Sequence, residues 1–296
     1  MREVKKKGQM LDDAELFSAM PPLEALKVLC SLMVSMKTSK HGGALKLRIL
    51  DISRARVHEP TSRPRARGQV RTTSKVDVPR TGCHASSIWQ ETYSKLLRER
   101  DIVQGVAWPA IFYHEATDSR FLCHSDDFVV LADSKGQQIV EEVLRKKFEL
   151  RVHGSIGPEA GDGKAMTVLN RILEFDNTTG PIRYEADPRH AETVIRQLGL
   201  DEAKPVVTPA EKVSSQEALA ASWLPALPSD RSSLYRLVVM RCAYLSQDRV
   251  DICESVETLA RFMASPTEHS WGKLKRLGRY LKGCPRVVQE FKAQEA

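Results

Sequence analysis

The chain has 296 residues, of which 42% are hydrophobic and 28% are charged, so its composition excludes a disordered chain and allows one large or two ordinary folded domains. A net charge of +7 suits a polyanionic partner but does not identify one. The six cysteines form no C-x-x-C pair, which disfavours a structural zinc site. In a chain this long they fit reduced thiols of an intracellular protein better than a disulfide framework. Neither a signal peptide nor a membrane-spanning stretch is recognisable, so we expect a cytoplasmic or nuclear protein without membrane contact.

The first predicted elements are a helix and a strand. Pro21-Pro22 precedes apolar residues spaced at i, i+3, i+4 and i+7, which predicts an amphipathic helix ending before His41-Gly42-Gly43. Residues 45–51 then alternate, so Asp51 shares the apolar face of a strand at its C-terminal end. Asp51 is either an ordinary strand-ending acid or a carboxylate with a chemical role.

A basic segment follows this strand. Residues 54–82 contain eight lysines and arginines, against only Glu59 and Asp77, and show almost no apolar periodicity. The pattern predicts a loop or an insert without regular structure. Its charges are either solvated or contact phosphates, and the second interpretation makes Arg54 and Arg56 candidate nucleic-acid contacts. A helix over 87–100 is predicted next.

Two adjacent carboxylates, Asp126 and Asp127, lie between the short apolar runs 121–123 and 128–132. This pattern predicts two strands joined by a tight turn, with the acids at its tip. Aspartate is common in turns, so an ordinary polar tip is one interpretation. The other is a divalent-cation site with oxygen ligands, because neighbouring like charges in an apolar setting are costly unless a cation offsets them.

The order of these elements indicates an α+β fold. A strand over 111–113 precedes the acidic hairpin, and a helix over 137–148, with Phe148 facing inward, follows it. Together they predict an antiparallel sheet with helices on one face.

The remainder is predicted to be mostly helical. Strands near 167–175 and 182–185 precede a helix that starts at Asp187-Pro188 and ends at Gly199. A linker rich in proline, alanine and serine follows. Three helices come last, over 235–246, 250–263 and from the capping box at 265–268 to Lys282.

The last predicted helix is strongly basic. Around its apolar stripe it carries Lys273, Lys275, Arg276, Arg279 and Lys282. These side chains form either a solvated face over a hydrophobic core or a surface that contacts a nucleic-acid backbone.

Several stretches resemble copia-type retrotransposon reverse transcriptases. Residues 47–55 resemble that family's first catalytic motif, and residues 124–128 resemble its x-x-Asp-Asp motif, with His124 where many relatives have tyrosine. Further stretches resemble the region beyond the palm and the helices leading to the family's RNase H domain: 183–191, 204–209, 235–245, 248–252 and 276–283. The resemblance covers nearly the whole chain in collinear order.

This resemblance implies a reverse-transcriptase palm, with truncated fingers, followed by a helical thumb and connection region. The implied divisions are partial fingers and palm over 1–150, the end of the palm and thumb over 151–203, a linker over 204–228, and a helical connection over 229–296.

The implied activity is that of an RNA-directed DNA polymerase, which adds deoxynucleoside triphosphates to a primer 3′-hydroxyl on an RNA or DNA template. Asp51, Asp126 and Asp127 match the family's catalytic and metal-binding positions, and the backbone carbonyl of Ile52 is a further candidate ligand. The implied cofactor is Mg²⁺ or Mn²⁺. Basic residues would hold the template-primer backbone without reading its sequence.

The sequence also departs from the family pattern. The family's finger region is expected upstream of Met1, with a remnant at 2–7, and its RNase H domain beyond Ala296. Arg56-Val57 replaces the family's aromatic residue that screens the sugar 2′ position. Because positioning governs phosphoryl transfer, losing the triphosphate clamp would abolish turnover while sparing the metal ligands. The second hypothesis is therefore a degenerate, non-catalytic fragment that at most binds nucleic acid through its basic surface.

Overall fold

A computed structural model describes residues 20–55, 83–177, 180–211 and 225–293. The predicted finger remnant at 2–7, the basic segment beyond residue 55 and residues 212–224 of the predicted linker lie outside these ranges.

The chain divides into two compact units. The first contains the described residues up to Met166, together with Glu174–Ile182 and the residues from Phe291 onwards, and the second contains Thr167–Leu173 and Arg183–Glu290. These bounds differ from the divisions at 150 and 203 that the resemblance implies.

The first unit is built on a six-stranded antiparallel sheet of order β2-β3-β4-β5-β1-β6. Its elements in chain order are α1 (Leu23–Met36), β1 (Lys46–Ala55), α2 (Cys83–Arg98), β2 (Ile102–Gln104), β3 (Ile111–His114), a 3-10 turn (Glu115–Thr117), β4 (Ser119–His124), β5 (Asp127–Ala132), α3 (Ser134–Arg145) and β6 (Phe148–Ile156). The first unit is α+β with an antiparallel sheet. That this sheet is a reverse-transcriptase palm stays a prediction.

Helices cover both faces of this sheet, rather than the single face predicted. Leu50 and Ile52 of β1 lie in one hydrophobic core with Leu97 of α2 and Val140 of α3. Alternate residues of β1, Leu47 among them, are also buried but point to the opposite face. The helix α1 contacts β1, β4 and β5, and we assign it to that second face. Strand β1, which lies between β5 and β6, therefore carries buried apolar residues on both faces.

Two boundaries in the first unit were predicted wrongly. Strand β1 continues to Ala55 because its backbone pairs with β6 as far as Phe148, so the predicted loop does not begin at residue 54. Phe148 does not end a helix but begins β6, while α3 ends at Arg145. The Phe148 side chain is buried in the same core as Val140. The predicted helix and the observed strand therefore both account for its burial. Strands β2 and β6 had not been predicted.

The remaining elements are β7 (Ala165–Val168), β8 (Arg171–Phe175), β9 (Ile182–Ala186), α4 (Arg189–Gln197), α5 (Ser229–Ser246), a 3-10 turn (Val250–Ile252), α6 (Cys253–Ala260), α7 (Glu268–Gly283) and β10 (Val288–Phe291). The four strands form a sheet of order β10-β9-β8-β7. The helices enclose the core of the second unit, where Tyr235, Leu274 and Leu277 are fully buried.

From β7 onwards, the structure differs from the sequence prediction in three ways. The single strand near 167–175 is two strands, because Leu169 and Asn170 have φ of 48° and 62° and turn the chain between them. The capping box of α7 pairs Thr267 with Ser270, rather than Ser265 with Glu268 as the sequence pattern predicted. The strand β10 had not been predicted. No helix among the described residues combines the length and apolarity needed to cross a membrane.

Candidate active site

The antiparallel pairing of β1 and β5 brings two of the predicted acids together. Asp51 and Asp127 are α-carbon partners in this ladder. Directly opposed residues project their side chains to the same face, with β-carbons roughly 5 Å apart. The carboxylates of β1 and β5 are therefore neighbours, as the sequence predicted for a shared site.

Asp126 occupies a two-residue turn beside this pair. Because His124 and Asp127 close the ladder between β4 and β5, only Ser125 and Asp126 form the turn. Ser125 has φ of 61°, in the left-handed region, which costs a residue with a β-carbon about 1 kcal/mol. The backbone N–H of Ile52 donates to the carbonyl of Asp126 at 3.0 Å, so the turn is tied to β1.

The surroundings of Asp127 disfavour its ionised form. Burial, followed by the charges of Asp126 and Asp51, raises the pKa of Asp127 to about 6. His153 of β6 opposes this shift, and its Nε2 lies 3.8 Å from Oδ2 of Asp51. Burial is the largest cause of this shift, and the two neighbouring carboxylates add to it.

A cationic side chain also flanks the acids on β6. Arg151 is the α-carbon partner of Asp51 on the side opposite β5, and its side chain is exposed. Asp127, Asp51 and Arg151 thus form a row across three strands. Sequence reasoning missed Arg151 and His153 because β6 had not been predicted, although the alternation of apolar and charged residues from Phe148 to Arg151 was available as a signal.

Two side chains hold the turn: Cys123, which lies in the core, and Trp89, which is partly buried against it. The indole Nε1–H of Trp89 donates to the carbonyl of Ser125 at 2.7 Å, and the thiol of Cys123 donates to the same oxygen at 3.4 Å. Cys123 is buried, which raises the pKa of its thiol well above the usual range. The sequence had placed Trp89 on a helix but had given it no functional role.

The carboxylate oxygens of the three acids suit a hard divalent cation, since such oxygens are the ligands that Mg²⁺ prefers. The side chains are nevertheless not gathered as a ligand set. In the described ranges, no group of three or more histidine, cysteine, aspartate or glutamate side chains is arranged to hold a metal ion. The backbone placement of the three acids and the raised pKa of Asp127 fit a divalent cation between them. To bind that cation, the three carboxylates would have to move closer together.

The basic residues of α7 have partners inside the second unit. Arg276 donates to the hydroxyl of Thr208 at 2.9 Å and pairs with Glu211, and Arg279 donates to the carbonyl of Lys204 at 2.7 Å. These contacts hold residues 204–211 along the helix.

Two of the three lysines of α7 lie over aromatic rings. Lys273 is 5.8 Å from the ring centroid of Phe262, and Lys275 is 6.0 Å from that of Trp271. Of the other predicted nucleic-acid contacts, Arg54 is described only as part of strand β1, and Arg56 lies outside the described residues. Nucleic-acid contact by these six basic residues stays a prediction.

Sequence relatives of this chain come from plant transposons. A 299-residue alignment covering 94% of the chain is 21% identical to the retrovirus-related Pol polyprotein from transposon TNT 1-94 of Nicotiana tabacum. A 97-residue alignment covering 33% of the chain is 32% identical to the retrovirus-related Pol polyprotein from transposon RE2 of Arabidopsis thaliana. The relatives are Pol polyproteins. These alignments span only 21% and 6% of the relatives' own lengths. No protein-family model and no solved structure matches the chain.

Proposed function

We propose that this chain is the polymerase part of a copia-type retrotransposon Pol polyprotein and acts as an RNA-directed DNA polymerase. The observation that carries the proposal is the direct cross-strand pairing of Asp51 with Asp127, beside a tight turn that presents Asp126. The plant-transposon relatives support the same origin.

In this proposal the three acids hold Mg²⁺ or Mn²⁺, with the backbone carbonyl of Ile52 as a further candidate ligand. Such an ion would lower the pKa of a primer 3′-hydroxyl and offset the charge of a triphosphate. The strands supply fixed spacing between Asp51 and Asp127, so little reorganisation of the backbone is needed when the acids act together.

The charges around the acids suit the proposed substrates. Arg151 and His153 place positive or proton-accepting groups on the β6 side of the acids, where a triphosphate brings negative charge. Lysines and arginines elsewhere would track the backbone of a template-primer without selecting its sequence.

Primer extension on an RNA template, with Mg²⁺ or Mn²⁺ and deoxynucleoside triphosphates, tests the proposal. We expect extension by the unmodified chain and a loss on the order of 10²-fold or more in Asp126→Asn, since catalysis of this kind depends on exact positioning of the reacting groups. Asp101→Asn is the matched control, because its carboxylate is exposed in the same unit and asparagine also tolerates its φ of 59°.

Two results would overturn the polymerase proposal: no extension by the unmodified chain, or equal extension by Asp126→Asn. Salt-dependent binding of a primer-template without any extension would instead support the non-catalytic hypothesis.

A further inference from the structure

The turn that carries Asp126 adopts a backbone conformation that its own sequence does not favour. The first residue of this two-residue turn has positive φ, where glycine, asparagine or aspartate is usual, and it is Ser125. Contacts from the rest of the fold must therefore hold the turn in this conformation.

Hydrogen bonds fix the carbonyls on both sides of the Asp126 α-carbon. The carbonyl of Ser125 accepts from the Trp89 indole, and the carbonyl of Asp126 accepts from the backbone N–H of Ile52. The two peptide planes that orient Asp126 are thus held by α2 on one side and β1 on the other.

Trp89 is itself fixed by aromatic contacts. Its ring meets those of Tyr93 and Phe148 edge-on, with centroids 5.3 and 5.0 Å apart. Tyr93 in turn packs edge-on against Phe128, the residue after Asp127, at 5.5 Å. This packing leaves the indole N–H little freedom to move away from the turn.

We infer that Trp89 is a positioning residue for the acidic turn, whose indole N–H holds the Ser125 carbonyl so that Asp126 stays beside Asp51 and Asp127. The consequence for catalysis rests on the proposed function, whereas the consequence for the turn does not.

Trp89→Phe tests the inference, because phenylalanine keeps an aromatic ring at residue 89 and removes the indole N–H, which leaves only the longer bond from the Cys123 thiol to the Ser125 carbonyl. The matched control is Trp108→Phe, at an exposed position of the loop between β2 and β3. Amide hydrogen exchange is measured at Ile52, whose N–H bonds to the turn, and at Asp127, which closes the ladder beside the turn. We expect exchange at these amides to accelerate about 3- to 10-fold in Trp89→Phe alone, as for loss of one hydrogen bond.

Where the chain extends primers, we also expect kcat to fall about tenfold with KM for the triphosphate nearly unchanged.

Unchanged exchange at the turn would overturn the inference, and so would acceleration spread evenly over the first unit, which indicates a merely structural role. Acceleration confined to the turn in a chain that never extends primers would support the inference while the proposed function fails. If Trp89→Phe does not fold, benzothienylalanine at residue 89 replaces the N–H by sulfur within the same ring shape, and the same local acceleration is expected.

Discussion

The α-carbons of Asp51 and Asp127 face each other across the neighbouring antiparallel strands β1 and β5. Two residues far apart in the sequence thereby place like charges on one face of the sheet, next to a third acid in the turn. Opposed like charges destabilise a sheet. The pair therefore lowers the free energy of unfolding, and a denaturation experiment can measure by how much.

Replacing one acid should stabilise the metal-free chain. The pKa of Asp127 is raised by burial and by the charges of Asp126 and Asp51, so its ionised form is disfavoured in the folded state. We expect Asp127→Asn to increase the free energy of unfolding by about 1–2 kcal/mol at pH 8 in EDTA, allowing for partial solvent screening. Urea denaturation measures the change, with Asp101→Asn as control. A less stable Asp127→Asn chain would contradict the prediction.

Asp118 should stabilise the first unit in a pH-dependent way. Burial opposes its ionisation, but hydrogen bonds from the backbone of Lys40 and the side chains of Arg120 and Tyr113 outweigh burial, and the net pKa lies below the usual 3.8. Because the folded pKa is the lower one, the stabilisation is complete above pH 3.8 and is lost as the pH falls through the folded pKa.

The variant Asp118→Asn isolates this effect, since asparagine tolerates the φ of 52° at this position. We expect it to cost about 1–3 kcal/mol at pH 7. The difference from the unmodified chain should shrink below pH 3.8, as measured by chemical denaturation between pH 7 and pH 3. A difference that grows towards low pH would contradict the assignment.

A buried ion pair should make the second unit sensitive to single substitutions. Arg171 donates to Asp248 at 2.9 Å, Tyr184 donates to the other carboxylate oxygen at 2.7 Å, and both charged side chains are buried. Removing the acid in Asp248→Ala leaves the guanidinium charge buried, so we expect a loss of roughly 3–5 kcal/mol. The double variant Arg171→Met, Asp248→Leu should recover most of it in thermal or urea unfolding. Equal losses in the single and double variants would show that packing, and not charge, dominates.

Salt titrations should separate the basic residues of α7 by role. If Lys273 and Lys275 contact phosphates, Lys→Gln at either position should lower the slope of log affinity against log salt by about one per contact on a primer-template. Arg279→Gln should instead reduce stability, because Arg279 bonds to the carbonyl of Lys204. Slopes that stay unchanged in both lysine variants would remove them from the proposed nucleic-acid surface.

Local patterns predicted much of the fold, and the failures have physical causes. Helix α1 and strand β1 followed from the periodic spacing of their apolar residues. Strand β5 followed from a short continuous apolar run, which fits its burial at every position from Phe128 to Ala132. Phe148 was misplaced because its burial satisfies a helix and a strand equally well. The turn at Leu169 and Asn170 was missed because a backbone of positive φ at leucine has no sequence signal.

The sequence by itself determined which residues could do chemistry: an acid that ends an apolar strand and two acids at a hairpin tip, in an order that resembles reverse transcriptases. Only the tertiary structure decided which of them meet and what holds them, because register between distant strands depends on the whole sheet. It paired Asp51 with Asp127 of β5 on one side and with Arg151 of β6 on the other. It also brought the Trp89 indole within hydrogen-bonding distance of the Ser125 carbonyl. The tertiary structure also showed that Arg276 and Arg279 bind residues of the same unit. The sequence could not predict this, because a local pattern does not distinguish a solvated arginine from one that binds a neighbouring segment.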